Sequence, residues 1–353
     1  LIRKTVFLIA LLALLLSRRG AAQSFPPVWS STATYAVGDV VQESGNWYRA
    51  IKAVTTHNVN PTTNYSYWEL NYVRANTTLF IGVEETFPNL LLAWNYIANC
   101  HVAQPVYLHL YISSFHGDLV EYFTSQFSLD HPSGANISIL GDNANNIVLY
   151  LNGSSETNGL LLDSNHSIAS ISNIELVGRI TAPYETAIHA DSNASISNVS
   201  GIIVDNFSQG IEASNGASIS CANNLVFETI TDIVVFATNN GVVTIQSGLG
   251  SGDSGYAALY ATEGGTIIAP GVTFNGDLDY DVEAIDNGFA DVSDSSFSNA
   301  QTGIFSGGGS RVMAFNCNFS GDGTDEDAEL GSIIVGIGNQ ATTQVGAGSY
   351  IFS

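Results

Sequence analysis

Acidic residues fall at every second position in GDLDYDVEAID (276–286): Asp277, Asp279, Asp281 and Glu283. On a strand, alternate residues share a face and lie roughly 6.5–7 Å apart. That separation suits the carboxylate pair of a glycoside hydrolase. The same ladder also serves as a solvated acidic face or as oxygen ligands for calcium, and the expectation runs solvated face, calcium, catalysis, in that order. A second group lies in RITAPYETAIHAD (179–191), where Arg179, Glu185, His189 and Asp191 could supply a base, an acid and an orienting carboxylate. A third, GDGTDEDAE (321–329), offers Asp322, Asp325 and Asp327 as a calcium candidate without the spacing of an EF-hand loop. The chain carries no GxSxG, HExxH or P-loop motif, and its histidines form no convincing pair. No cofactor is required on this reading; calcium is the one candidate.

Aromatic residues concentrate in WSSTATYAVGDVVQESGNWYRAIKAVTTHNVNPTTNYSYWEL (29–70). Sugar rings have apolar faces that stack on Trp and Tyr, which present large rigid surfaces at low entropic cost. Trp47, Tyr35 and Trp68 are the candidate carbohydrate-binding residues. Trp47 and Tyr48 are adjacent on a strand, so they point to opposite faces. The competing reading is that these rings form the core of a domain with little else to bury.

These residues must be held by the elements around them, and the remainder of the chain repeats. Aligned on Asn193, Gly216, Gly241, Gly265, Gly288 and Gly309, short β-branched and aromatic strands recur every 21 to 25 residues. A period in this range between Gly/Asn turns, with no helical periodicity, predicts stacked rungs of a solenoid. Alternation such as Ala217, Ile219, Cys221 or Val243, Ile245 sends one set of side chains into the coil and the other to water. Neither a leucine-rich ladder nor a propeller pattern is present, which leaves a parallel β-helix of about eight coils spaced about 4.8 Å apart. Apolar residues at Leu90, Leu91, Trp94, Ile97 and Ala98 have helical spacing and predict a helix capping the first coil.

Charge narrows the partners. Arg3 and Lys4, the apolar run Thr5–Leu16 and the small residues Gly20-Ala21-Ala22 have the layout of a secretory signal peptide, cleaved after Ala22. Beyond it stand thirty-two acidic residues against five basic ones, Arg49, Lys52, Arg74, Arg179 and Arg311, a net charge of −27. Such a surface repels nucleic acid and anionic membrane. The three cysteines, Cys100, Cys221 and Cys317, are too few for a disulfide framework and are read as buried filler.

The coils, the helix and strand before them, and FSLDHPSGANISILGDN (127–143) resemble the right-handed parallel β-helix proteins of the pectin-lyase-like superfold, of the kind found in phage tails and secreted bacterial proteins. The order Trp29, Tyr35, Gly38-Asp39, Val41, Gly45, Tyr48, Ala50, Pro61, Trp68 resembles carbohydrate-binding families 5 and 12. That second resemblance implies a compact β-fold presenting aromatic rings to polysaccharide, with Tyr48 buried. The polygalacturonase-type signatures of the superfold are missing, and a lyase's Lys or Arg base has only Arg179 and Arg311 to draw on.

The expected organisation is therefore a signal peptide (1–22), a small β module (23–72), an N-terminal cap with first strands (73–135), an all-β right-handed parallel β-helix (136–330) and a C-terminal cap or interface segment (331–353). The expected function is a secreted, extracellular or cell-surface, non-catalytic glycan-binding protein of adhesin or fibre type. Its partners are polysaccharide or cell-surface glycan, with no nucleic acid, no membrane span in the mature form, and a homo-oligomer or filament as its assembly. The alternatives are a secreted polysaccharide lyase or glycoside hydrolase, and a phage-tail-like receptor-binding protein, which a signal peptide argues against.

Overall fold

The computed structural model describes residues 27–43, 46–55, 59–64, 66–70, 77–82, 85, 87–98, 100, 102–112, 119–123, 125–144, 146–151, 158–178, 186–246, 255–275, 279–320, 322–336, 343–345 and 350–352. The expected signal peptide lies outside them. From residue 77 onward the chain is a parallel β-solenoid. One face is a thirteen-stranded sheet, a second a ten-stranded sheet, and the third a five-stranded sheet followed by a two-stranded one. The first rung is already present at Thr77–Ile81, which pairs in parallel with Val106–Leu110, itself paired with Ile137–Gly141. At the other end Ile333–Val335 and Tyr350–Phe352 continue the thirteen-stranded sheet in register as further rungs.

The pattern of the repeated strands explains the core. In the ten-stranded sheet Ile188, Ile211, Val235, Leu259, Val282 and Ile304 stack in one column. Ala190, Ala213, Ala237, Ala261 and Ala284 stack in a second, two residues on. All of these are buried in one continuous apolar core. Each Ile, Leu or Val contributes about 1.5–3 kcal/mol by leaving water. Between these columns runs a third that faces outward: His189, Glu212, Phe236, Tyr260, Glu283, Phe305 and Asp327. Toward the C-terminal end the core columns become polar. Ser306 takes the alanine place and Glu326 the aliphatic place, and both are 0% exposed.

The rungs are joined by tight turns with two consecutive residues at positive φ: Ser192-Asn193, Asn215-Gly216, Asn239-Asn240, Glu263-Gly264, Asp286-Asn287, Gly308-Gly309 and Leu330-Gly331. This is the geometry of a type I′ turn, for which Asn and Gly are best suited. The turns stack, because the N–H of Asn193 donates to the Asn215 carbonyl, that of Gly216 to Asn239, and that of Asn287 to Gly308, at 3.0–3.1 Å. The sequence alignment is corrected here by one residue in three coils. The left-handed positions are Asn240, Gly264 and Asn287, not Gly241, Gly265 and Gly288. Those three glycines have another cause: a Cβ on them would overlap the carbonyl oxygens of Ala213, Ala237 and Ala261 in the preceding coil. Ala194 and Ala217 hold the same place in two earlier coils, so this close approach belongs to particular coils.

The expected helix is Leu90–Ala98. Asn89 accepts the N–H of Leu92 at 2.9 Å, and Glu121, from 31 residues away, accepts the N–H of Leu90 at 2.7 Å. Both satisfy donors that a helix start leaves open. Its buried face, Leu90, Ala93, Trp94, Ile97 and Ala98, joins the core of the first rungs, where the Trp94 ring meets Phe127 edge-on at 5.8 Å. The small module is a three-stranded antiparallel sheet, Val40–Glu43, Asn46–Ala50 and Trp68–Leu70, with its own core of Val41, Tyr48, Ala50, Val54 and Trp68. The three cysteines are buried thiols, and burial pushes the Cys221 thiol up to about 12. Among the described residues no helix is long and apolar enough to cross a membrane.

Candidate functional site

His189 and Asp191 are brought together, through a residue the sequence reading did not select. Asn158 Nδ2 lies 2.8 Å from His189 Nδ1, His189 Nε2 lies 2.9 Å from Ser214 Oγ, and Ser214 donates to Asp191 Oδ1 at 2.8 Å. With Nδ1 accepting from the Asn158 amide, the imidazole proton sits on Nε2 and is donated to Ser214. Ser214 then gives its own proton to Asp191. A nucleophilic serine needs the reverse, a histidine that accepts its proton and is itself oriented by the carboxylate. Burial would raise the Asp191 pKa, but hydrogen bonds from Asn215, Ser214 and Ser192 outweigh it and hold the carboxyl below its ordinary range. The network ties three successive coils together. Arg179 and Glu185 lie outside the described residues.

The acidic ladder does not share one face. Burial does not alternate along the strand Tyr280–Ala284: Asp281 as well as Val282 and Ala284 is 0% exposed. By register, Asp281 stands in the column of Ala187, Val234 and Ala258, which belong to the core. No backbone N–H or other side chain reaches its oxygens, and its one polar neighbour is the Asp322 carboxyl. Burial first, then the neighbouring charge of Asp322 and a proton shared with it, push Asp281 up to about 9. Asp322 in turn accepts the Ala300 N–H at 2.9 Å. Asp279 is half-buried and takes a hydrogen bond from Gln301, Glu283 is on the outer column, and Asp327 is two rungs further along it. Asp277 lies outside the described residues, as does the side chain of Asp325. Among the described residues no three His, Cys, Asp or Glu side chains form a group that could hold a metal.

What the structure does assemble is an aromatic strip on the outer face of the ten-stranded sheet. Phe236 and Tyr260 stack with centroids 5.2 Å apart and planes 7° apart. Tyr256 meets Tyr260 at 6.0 Å and Tyr280 at 5.5 Å, and Tyr280 meets Phe305 at 5.5 Å. All five rings are half-buried. Glu283 sits between Tyr260 and Phe305 in register, at the base of the strip and 4% exposed. Its Oε2 is buried without a partner. Burial raises the Glu283 pKa, opposed by a hydrogen bond from the Tyr256 hydroxyl. Burial and the Glu283 charge together push Tyr260 up to about 12. The sequence signal was available: Phe236, Tyr260, Glu283 and Phe305 each precede the last small residue of their repeated strand.

In the small module Trp68 is corrected from a ligand platform to a core residue. It is 1% exposed, and its indole N–H donates to the Val59 carbonyl at 2.9 Å. Tyr48 is buried beside it, as the family resemblance implies. Tyr35 packs edge-on against Trp68 at 5.2 Å and remains half-exposed, with its hydroxyl accepting the Ser30 N–H at 2.8 Å. Trp47 pairs with Gln42 in the strand register, and its side chain lies outside the described residues. No family profile matches the chain, and neither does any curated protein or any solved structure. The functional reading therefore rests on the solenoid and its surface.

Proposed function

We propose that this protein is a secreted, non-catalytic β-solenoid that binds polysaccharide or cell-surface glycan, as an adhesin or surface fibre does. The observation that carries the reading is the outward strip of Phe236, Tyr256, Tyr260, Tyr280 and Phe305 on a rigid sheet. Phe236 and Tyr260 cover each other's facing sides, so contact with a pyranose falls to the exposed ring surface that remains along the strip, and rings already fixed by packing lose little freedom on binding. Rungs about 4.8 Å apart are comparable in width with a sugar ring, so successive rings of an extended glycan fall in step with successive coils. The His189–Ser214–Asp191 chain runs in the wrong direction for a nucleophile, which favours binding over catalysis.

The test is binding of the full chain to a panel of soluble oligosaccharides and insoluble polysaccharides, with the retained sugar analysed by mass spectrometry. Bound but unaltered glycan is expected, with affinity lowered about tenfold or more in Tyr260→Ala, the loss of one stacking ring at an anchor position. Shortened or unsaturated products would overturn the non-catalytic reading.

A further inference from the structure

We infer that the aromatic strip around Glu283 recognises the protonated amines of a deacetylated amino-sugar polymer. This rests on the glycan-binding reading above and names its substrate class. The rings alone would accept any sugar with an apolar face; the charges around them select among sugars. Tyr260 feels the carboxylates of Glu283, Asp286 and Glu263, and Tyr280 those of Glu283, Asp279, Asp327 and Glu329. Among the described residues the basic side chains within ion-pair distance of a carboxylate are His109, His166 and His189, beside Asp142, Asp130 and Glu212, and none of the six carboxylates around the strip is among these partners. A uronate polymer brought here would meet like charge at the coils that carry Glu263, Glu283 and Asp327. An ammonium group is favoured twice, by the negative faces of the rings and by the carboxylates beside and beneath them.

Glu283 gives the strip its local focus. Glu283 is 4% exposed and accepts the Tyr256 hydroxyl, while its Oε2 has no donor. Oε2 is closed off from solvent, so a ligand cation at the strip feels Glu283 through the intervening rings rather than by contact. The two aromatic neighbours in register, Tyr260 and Phe305, and the flanking Tyr256 and Tyr280 surround that position. Rings around one acidic group are the arrangement by which proteins hold organic ammonium ions.

Calorimetric titration of the full chain at about pH 6, where a primary amine is protonated, separates the possibilities. The probes are a glucosamine hexasaccharide, its fully N-acetylated form and a glucose hexasaccharide. The glucosamine form is expected to bind at least tenfold more tightly than the other two, and to weaken as sodium chloride is raised. Glu283→Gln, nearly isosteric, is expected to lower that affinity about tenfold and to leave the neutral hexasaccharides unaffected. Asp327→Asn, at a half-exposed place where folding is not at issue, is expected to act in the same direction. Equal affinity for all three sugars, or glucosamine binding unchanged in both variants, overturns the amine inference and leaves glycan binding standing. Binding lost with Trp47→Ala but kept in both acidic variants moves the site to the small module and likewise overturns it. Absence of binding by every sugar overturns both readings.

Discussion

Asp281→Asn is expected to stabilise the protein by about 4 kcal/mol near pH 7 and to leave it unchanged below about pH 4. The carboxyl is 0% exposed and has only the Asp322 carboxyl as a polar neighbour, so its folded pKa is raised to about 9. The folded chain thus holds a proton that the unfolded chain releases above its ordinary value. Stability from this group is fully present below about pH 4 and is lost progressively as pH rises toward 9. Asparagine keeps the shape and can donate to Asp322 without carrying a titrating proton. Urea midpoints of both proteins across acid to alkaline pH measure the effect. Curves that coincide in acid and diverge with rising pH, the variant higher, are expected. A variant less stable than wild type near neutrality would mean instead that a cation holds the carboxylate ionised.

The second large effect lies at the opposite end of the solenoid. Trp94→Ala is expected to cost about 4 kcal/mol, the range for removing a buried aromatic from a packed core. Trp94 is 1% exposed and anchors the helix Leu90–Ala98 on the first rungs through Phe127 and His131, at 5.8 and 6.3 Å. Its Nε1–H has no acceptor. Trp94→Phe should therefore lose less than half as much, because it keeps most of the ring contact and removes a buried donor. Equal losses in the two variants, measured by denaturant unfolding, would show that ring packing is not what fixes the helix.

The coil period was legible because each turn demands two residues at positive φ, and Asn and Gly announce that demand in any sequence. Its phase was less so. Glycine serves both a left-handed turn, as at Gly264, and a close approach between coils, as at Gly265, and sequence does not separate the two. The acidic ladder misled for a related reason: strict alternation assumes that only every second residue faces the core, whereas Asp281 stands in a core column beside that of Val282, with Ala187, Val234 and Ala258 at its place in other coils. Trp68 illustrates the limit for aromatics, since a ring that stacks on sugar and a ring that fills a core have the same composition. The strip around Glu283 shows in the sequence only once the coils are aligned, because apart from Tyr256 and Tyr260 its members meet across rungs, 22 to 24 residues apart in the column Phe236, Tyr260, Glu283 and Phe305.

Glu326 and Ser306, standing where earlier coils carry aliphatic residues and alanine, have a consequence for how the molecule comes apart. In a stacked array each repeat is stabilised chiefly by its nearest neighbours, so unfolding need not be all-or-none. Coils with a polar interior form the weakest links. The array should fray from residue 352 inward, with amide protons of 302–306 and 324–328 exchanging well before those of 207–213 and 230–237. A protein anchored by its N-terminal part would then shed its far end under load while the nearer coils stayed intact.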